Sequence, residues 1–118
     1  VVSYKKSEYS ENKKYIKKAF RAFQINSFRL DVKTAPKLTD DFLLEFKGDS
    51  KADSDIEDFI NFFCKAFNDL PAMYRKIIWL TEIEMIKRIG IALEFDRGVS
   101  WLHVKSKLAY KEFADALR

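Results

Sequence analysis

The 118-residue sequence contains one cysteine, two prolines, three glycines and one histidine. A lone thiol excludes an internal disulfide, and Cys64 lies in the apolar run NFFCKAF, so it reads as a buried, reduced side chain suited to a reducing cytoplasm. With His103 and Cys64 far apart, no zinc set can be assembled. The acids at 49, 53, 55, 57 and 58 miss the glycine and terminal glutamate of a calcium loop. No glycine-rich phosphate loop and no nucleophile–base grouping is visible, so neither an enzyme nor a cofactor is expected. No apolar run approaches the roughly 20 residues that span a bilayer. The opening VVSYKKSEYS also has no apolar signal-peptide core. Scarce glycine and proline argue against a turn-rich all-β domain.

Apolar side chains are plentiful. Hydrophobic residues make up 47% of the chain, and 11 are phenylalanine. One domain with a single core is expected, and its class is all-α. The net charge of +4 is unevenly spread. Residues 1–33 hold nine basic against three acidic side chains, 37–69 four against nine, and 97–118 five against two. Basic ends around an acidic middle point to an anionic partner or to solvated helix faces.

Periodicity sets the elements. Tyr9, Ile16, Phe20 and Phe23 predict a helix over about 9–25, capped by Ser10, with Lys13, Lys14, Lys17 and Lys18 forming a positive stripe. NSFRLDVKTAPKL reads as an extended linker, and TDDFLLEF as about two helical turns capped by Thr39. KGDSKADS reads as a loop. Ser54 and Glu57 form a capping-box pattern ahead of Ile56, Phe59, Ile60, Phe63, Phe67 and Leu70, a core stripe. Pro71 opens the next helix, to about 85, and a further helix follows with little or no break, carrying Ile86, Ile89 and Leu93 on one face. Glu82 and Glu84 are expected to pair with Lys87 and Arg88. The chain thus divides into residues 1–53, a basic helix with linker and acidic loop, and 54–118, a helical bundle.

The C-terminal stretch RGVSWLHVKSKLAYK has four Lys/Arg and no acid. A helix, the glycine-containing DRGVS and a basic amphipathic helix outline a helix-turn-helix at about 82–117, with Asp96 or Ser100 as the cap. Leu102, Ala109, Phe113 and Leu117 would point inward. Arg97, Ser100, Trp101, His103, Lys105, Lys107 and Lys111 are the candidate contacts to double-stranded DNA. Arg97 would meet a phosphate or pair with Glu94; Trp101 would pack on the helix of Trp79 or lie on sugar and thymine methyl.

From Leu70 to Leu117, the residues LPAMYRKII, Ile91-Ala92, Lys107, Ala109 and FADAL (113–117) resemble the ArpU-type family of phage late-transcription regulators, relatives of region four of bacterial sigma factors. KTAPKLT resembles that family's linker. At the turn, Phe95, Asp96, Arg97 and Gly98 stand where the family has Leu-Gly-Ile-Ser. The resemblance implies control of a late phage or prophage operon, working with RNA polymerase. A protein-interaction module that grips polymerase without its own DNA site is the rival reading, and a basic N-terminal helix on RNA or a membrane surface is another. The choice between monomer and dimer stays open.

Overall fold

The computed structural model describes residues 6–48 and 53–118, with the side chains of Lys6 and Ser7 left aside. The residues 1–5 and the middle of the expected acidic loop, 49–52, lie outside the described residues. The chain is mostly helical: α1 (Lys6–Phe28), β1 (Lys37–Leu38), β2 (Leu44–Glu45), α2 (Ser54–Asn68), α3 (Ala72–Glu82), α4 (Arg88–Glu94) and α5 (Val99–Leu117). No described helix is long and apolar enough to cross a membrane.

No glycine or proline interrupts α1, so it runs past both expected ends, and Ser10 lies inside it instead of capping it. Tyr9, Asn12, Ile16, Phe20 and Phe23 form its buried stripe, at spacings of three and four. They share one core with Phe63 and Phe67 of α2, Ile78 of α3 and Phe113 and Leu117 of α5, so residues before and after 53 pack as one body. Cys64 is buried here, and burial pushes its thiol up to about 12, as an unreactive core thiol requires. A smaller cluster joins Ile77 and Leu80 of α3, Ile91 and Ala92 of α4 and Leu102 of α5. Leu102, Ala109, Phe113 and Leu117 are all buried, as their period predicted.

The two helical turns expected at 39–46 are instead a hairpin, in which Lys37 faces Glu45 and Leu38 faces Leu44. Thr39 does not cap a helix. It donates its N–H to the Leu43 carbonyl and accepts the Leu43 N–H on its hydroxyl, closing a turn with Phe42 at φ 57°. Two side chains outside the segment hold this shape. Asn68 accepts the Leu44 N–H at 2.8 Å and donates to the Leu44 carbonyl at 2.9 Å. Arg75 of α3, only 8% exposed, donates to the carbonyls of Phe42 (2.9 Å), Leu70 (2.6 Å) and Asp41 (3.1 Å). Local pattern favoured a helix; tertiary hydrogen bonds decided for the hairpin.

Caps also differ from expectation. Asp53, not Ser54, caps α2, accepting the Asp55 N–H. Five residues, 83–87, separate α3 from α4, with Met85 at φ 54°. Asp96 caps nothing at an N-terminus. It closes α4 in the left-handed conformation, φ 53°, as Asp96 N–H bonds to Leu93 O and Arg97 N–H to Ala92 O. That is the Schellman arrangement, with aspartate where glycine is usual. Gly98 is the N-cap of α5 and offers no side-chain bond, so Ser100 is not the cap either.

Arg75 generates a stability prediction. Arg75→Leu strips three carbonyls of their donor and is expected to cost about 2–4 kcal/mol by urea unfolding. Arg75→Lys should recover little, because an ammonium lacks the guanidinium fork. A leucine variant within about 0.5 kcal/mol of the parent would show that the hairpin holds without this pin.

Candidate nucleic-acid interface

The candidate contacts of the last helix divide over three sides of it. Leu102, Ser106, Ala109, Tyr110, Phe113, Ala114 and Leu117 occupy the buried face. Ser100, Val104, Leu108 and Lys111 lie on the opposite, exposed face, and Lys111 pairs with Asp115 at 3.1 Å. Trp101 sits on one flank, half-buried against Phe95 with ring centroids 5.4 Å apart, and packs on the Ile77–Leu80 cluster of α3. The Arg97 guanidinium lies over the Trp101 ring at 5.7 Å, while Glu94 pairs with Lys76 at 3.5 Å, so the Arg97–Glu94 pair does not form. Lys105, half-buried, falls one turn beyond Trp101 on that flank. His103 and Lys107 belong to the other flank, which faces α1.

There they join side chains from two other helices. Tyr9, Ser10, Lys13, Lys14 and Lys17 of α1, Arg88 of α4, and His103 and Lys107 of α5 line a groove of about 590 Å³. Its rim carries five lysine and arginine side chains. A Tyr9 ring, edge-on to both His103 and Tyr110, forms its inner wall. Arg88 holds the wall in place, donating to His103 Nδ1 at 3.0 Å and to the Tyr9 hydroxyl at 3.3 Å. A guanidinium can only donate, so His103 accepts on Nδ1 and carries its proton on Nε2. Lys18 points away from the groove, toward Glu11, Tyr15 and Phe59.

One carboxylate lies behind these cations. Glu82, whose side chain is 4% exposed, does not pair with the residues one turn along, as the sequence suggested. It accepts a hydrogen bond from the Tyr110 hydroxyl and pairs with Lys17 at 3.3 Å, tying α3 to α5 and α1. Burial and the adjacent Glu82 charge hold the Tyr110 hydroxyl protonated, well above its ordinary range. Lys13 is pulled the other way. Partial burial, then the charges of Arg88 and Lys17, lower its amine below the usual lysine value, and Glu82 only partly opposes them. Lys13 Nζ also sits 5.0 Å from the Tyr9 ring centroid.

Positive charge gathered at a partly desolvated groove produces a locally positive potential. Among the described residues, no group of three or more His, Cys, Asp or Glu side chains could hold a metal ion. Of the seven sequence candidates, the groove unites only His103 and Lys107. Arg88 was missed, because a neighbouring glutamate offered it a simpler partner. The lysine stripe of α1 was visible, but nothing in the sequence says that α1 lies along α5. Compared with known proteins, the chain matches no family model, no curated sequence and no solved structure.

Lys13 is charged against the preference of the fold. That cost is present at neutral pH and disappears as the amine loses its proton in alkali, because its folded value is the lower one. Lys13→Met keeps the aliphatic stem on Tyr9 and removes the charge. The expected result is a thermal midpoint at neutral pH equal to or above the parent's, together with weaker retention on a polyanion column. A clear loss of midpoint would mean the amine is structural.

Proposed function

We propose that the chain is a sequence-specific DNA-binding regulator of transcription, in which α4, the turn at 95–98 and α5 act as a helix-turn-helix and α5 enters the major groove. The observation that carries this reading is the cationic groove of Lys13, Lys14, Lys17, Arg88 and Lys107 running beside the open face of α5. In the bound state the exposed face meets base edges, while the groove cations meet the phosphates of one strand and fix the register. Two further features support it. No acid occupies the first turn of α5, and a Cβ on its N-cap, Gly98, would meet nothing within 4 Å, so the first amides are open to a phosphate. The resemblance of residues 70–117 to ArpU-type regulators implies a late phage or prophage operon in a bacterial cytoplasm.

Salt dependence tests this directly. Specific duplex binding should weaken with salt along a log–log line, and Lys14→Ala or Lys107→Ala should each flatten the slope by about one while weakening all sequences alike. Lys65→Ala, on α2 and paired with Asp69, serves as the control and should leave the slope intact. Unchanged slopes for both groove variants would remove the groove from the interface.

A second reading rests on a different surface. Met85, Ile89 and Leu93, on and just before α4, are 80%, 64% and 71% exposed. An apolar face of this kind suits a protein partner such as RNA polymerase. On that reading Leu93→Asp abolishes transcriptional control in a reporter assay and leaves DNA affinity untouched; loss of both together would argue against a separate protein surface.

A further inference from the structure

The open face of α5 is not a polar one. From Ser100 onward its solvent side runs Ser100, Val104, Leu108, Lys111, and Val104 and Leu108 are 56% and 43% exposed. The core has no use for them. Leu102, Ala109, Tyr110, Phe113, Ala114 and Leu117 already fill the inward face. Val104 and Leu108 stand one turn apart, so they project side by side, with Lys111 on the same face and Lys107 on the adjoining flank. Two side chains bordered by lysines fall far short of the roughly 800 Å² that each partner commits to a stable protein interface. They match in size and chemistry the apolar feature that a duplex displays in its major groove, the C5 methyl group of thymine.

We propose that Val104 and Leu108 are specificity-determining residues that read thymine methyl groups, so that the preferred duplex carries T·A pairs where these two side chains land. This rests on the DNA-binding reading above and adds to it which bases are chosen and by which atoms. The lysines contribute sequence-independent attraction to phosphates, whereas the two aliphatic groups discriminate. A cytosine at the same place carries only hydrogen at C5, so the apolar contact of the two side chains is lost there.

The full chain is used to select its preferred duplex from a randomised pool, and each thymidine of that duplex is then replaced singly by deoxyuridine. Deoxyuridine pairs with adenine in the same way and lacks only the methyl group. Removing a methyl that is buried on binding should weaken the parent about fourfold, at two positions. Val104→Ala should bind the thymidine and deoxyuridine forms equally at one of these positions, and Leu108→Ala at the other. Both residues are exposed, so the thermal midpoints of the two variants should match the parent's and exclude misfolding as the cause. Sequence-specific binding that no deoxyuridine weakens overturns the methyl assignment alone. Methyl sensitivity that survives both alanine variants assigns the contact to other residues and likewise overturns it. Failure to bind any duplex in preference to another, at any salt concentration, overturns the DNA-binding reading and this inference with it.

Discussion

Four helices meet on the ring of Phe20. It lies edge-on to Phe63 of α2 at 5.1 Å, to Phe113 of α5 at 5.9 Å, to Trp79 of α3 at 6.2 Å and to Phe67 of α2 at 6.4 Å. Edge-to-face contacts between aromatic rings are directional, so this cluster does more than exclude water. It fixes the rotation of α1 about its own axis. Once Phe20 and Ile16 point inward, Lys13 and Lys17 emerge on the side that faces α5, and the groove follows from helix geometry. A core built only from leucine would bury comparable area without setting that rotation so firmly.

The groove then owes its stability to one buried carboxylate. Glu82 accepts from Tyr110 and pairs with Lys17, so three helices converge on a single charge at the back of the site. A cluster made only of cations would push its helices apart. With Glu82 behind Lys17, the repulsion is confined to the rim, where a ligand or solvent can screen it. The arrangement separates two duties: Glu82, Tyr110 and Lys17 hold helices together, whereas Lys13, Lys14 and Lys107 face outward.

Much of this was legible in the sequence, and the reasons differ by element. The stripe from Ile60 to Phe67 and the run from Leu102 to Leu117 announce their buried faces through spacing alone, because burial and period coincide in an amphipathic helix. The hairpin at 37–45 was illegible, because its shape depends on Asn68 and Arg75, which reach it from 24 and 33 residues away. Arg75 itself looked like part of the stretch LPAMYRKII that carries the family resemblance and not like a structural pin. Asp96 was ambiguous for a local reason: aspartate is a common N-cap, yet it is also one of the few residues besides glycine that visit the left-handed region closing a helix. For the site, a list of basic residues was readable, but their grouping was not. Lys107 and Lys105 are two residues apart in sequence and on opposite flanks of α5, and only the packing of α1 distinguishes them.

The first and last helices are also fastened end to end: Arg118 donates to Asn12 Oδ1 at 2.9 Å, and the Tyr15 hydroxyl donates to the Leu117 carbonyl at 3.3 Å. These contacts bridge 106 and 102 residues, so forming them closes nearly the whole chain into a loop and carries the entropic cost of that closure. The groove draws on residues as far apart as Tyr9 and Lys107, so no N-terminal fragment that stops short of Lys107 can complete it. A nascent polypeptide that has not yet reached Lys107 therefore carries the lysines of α1 without the groove they line. The gathering of positive charge waits on the closing of the chain on itself.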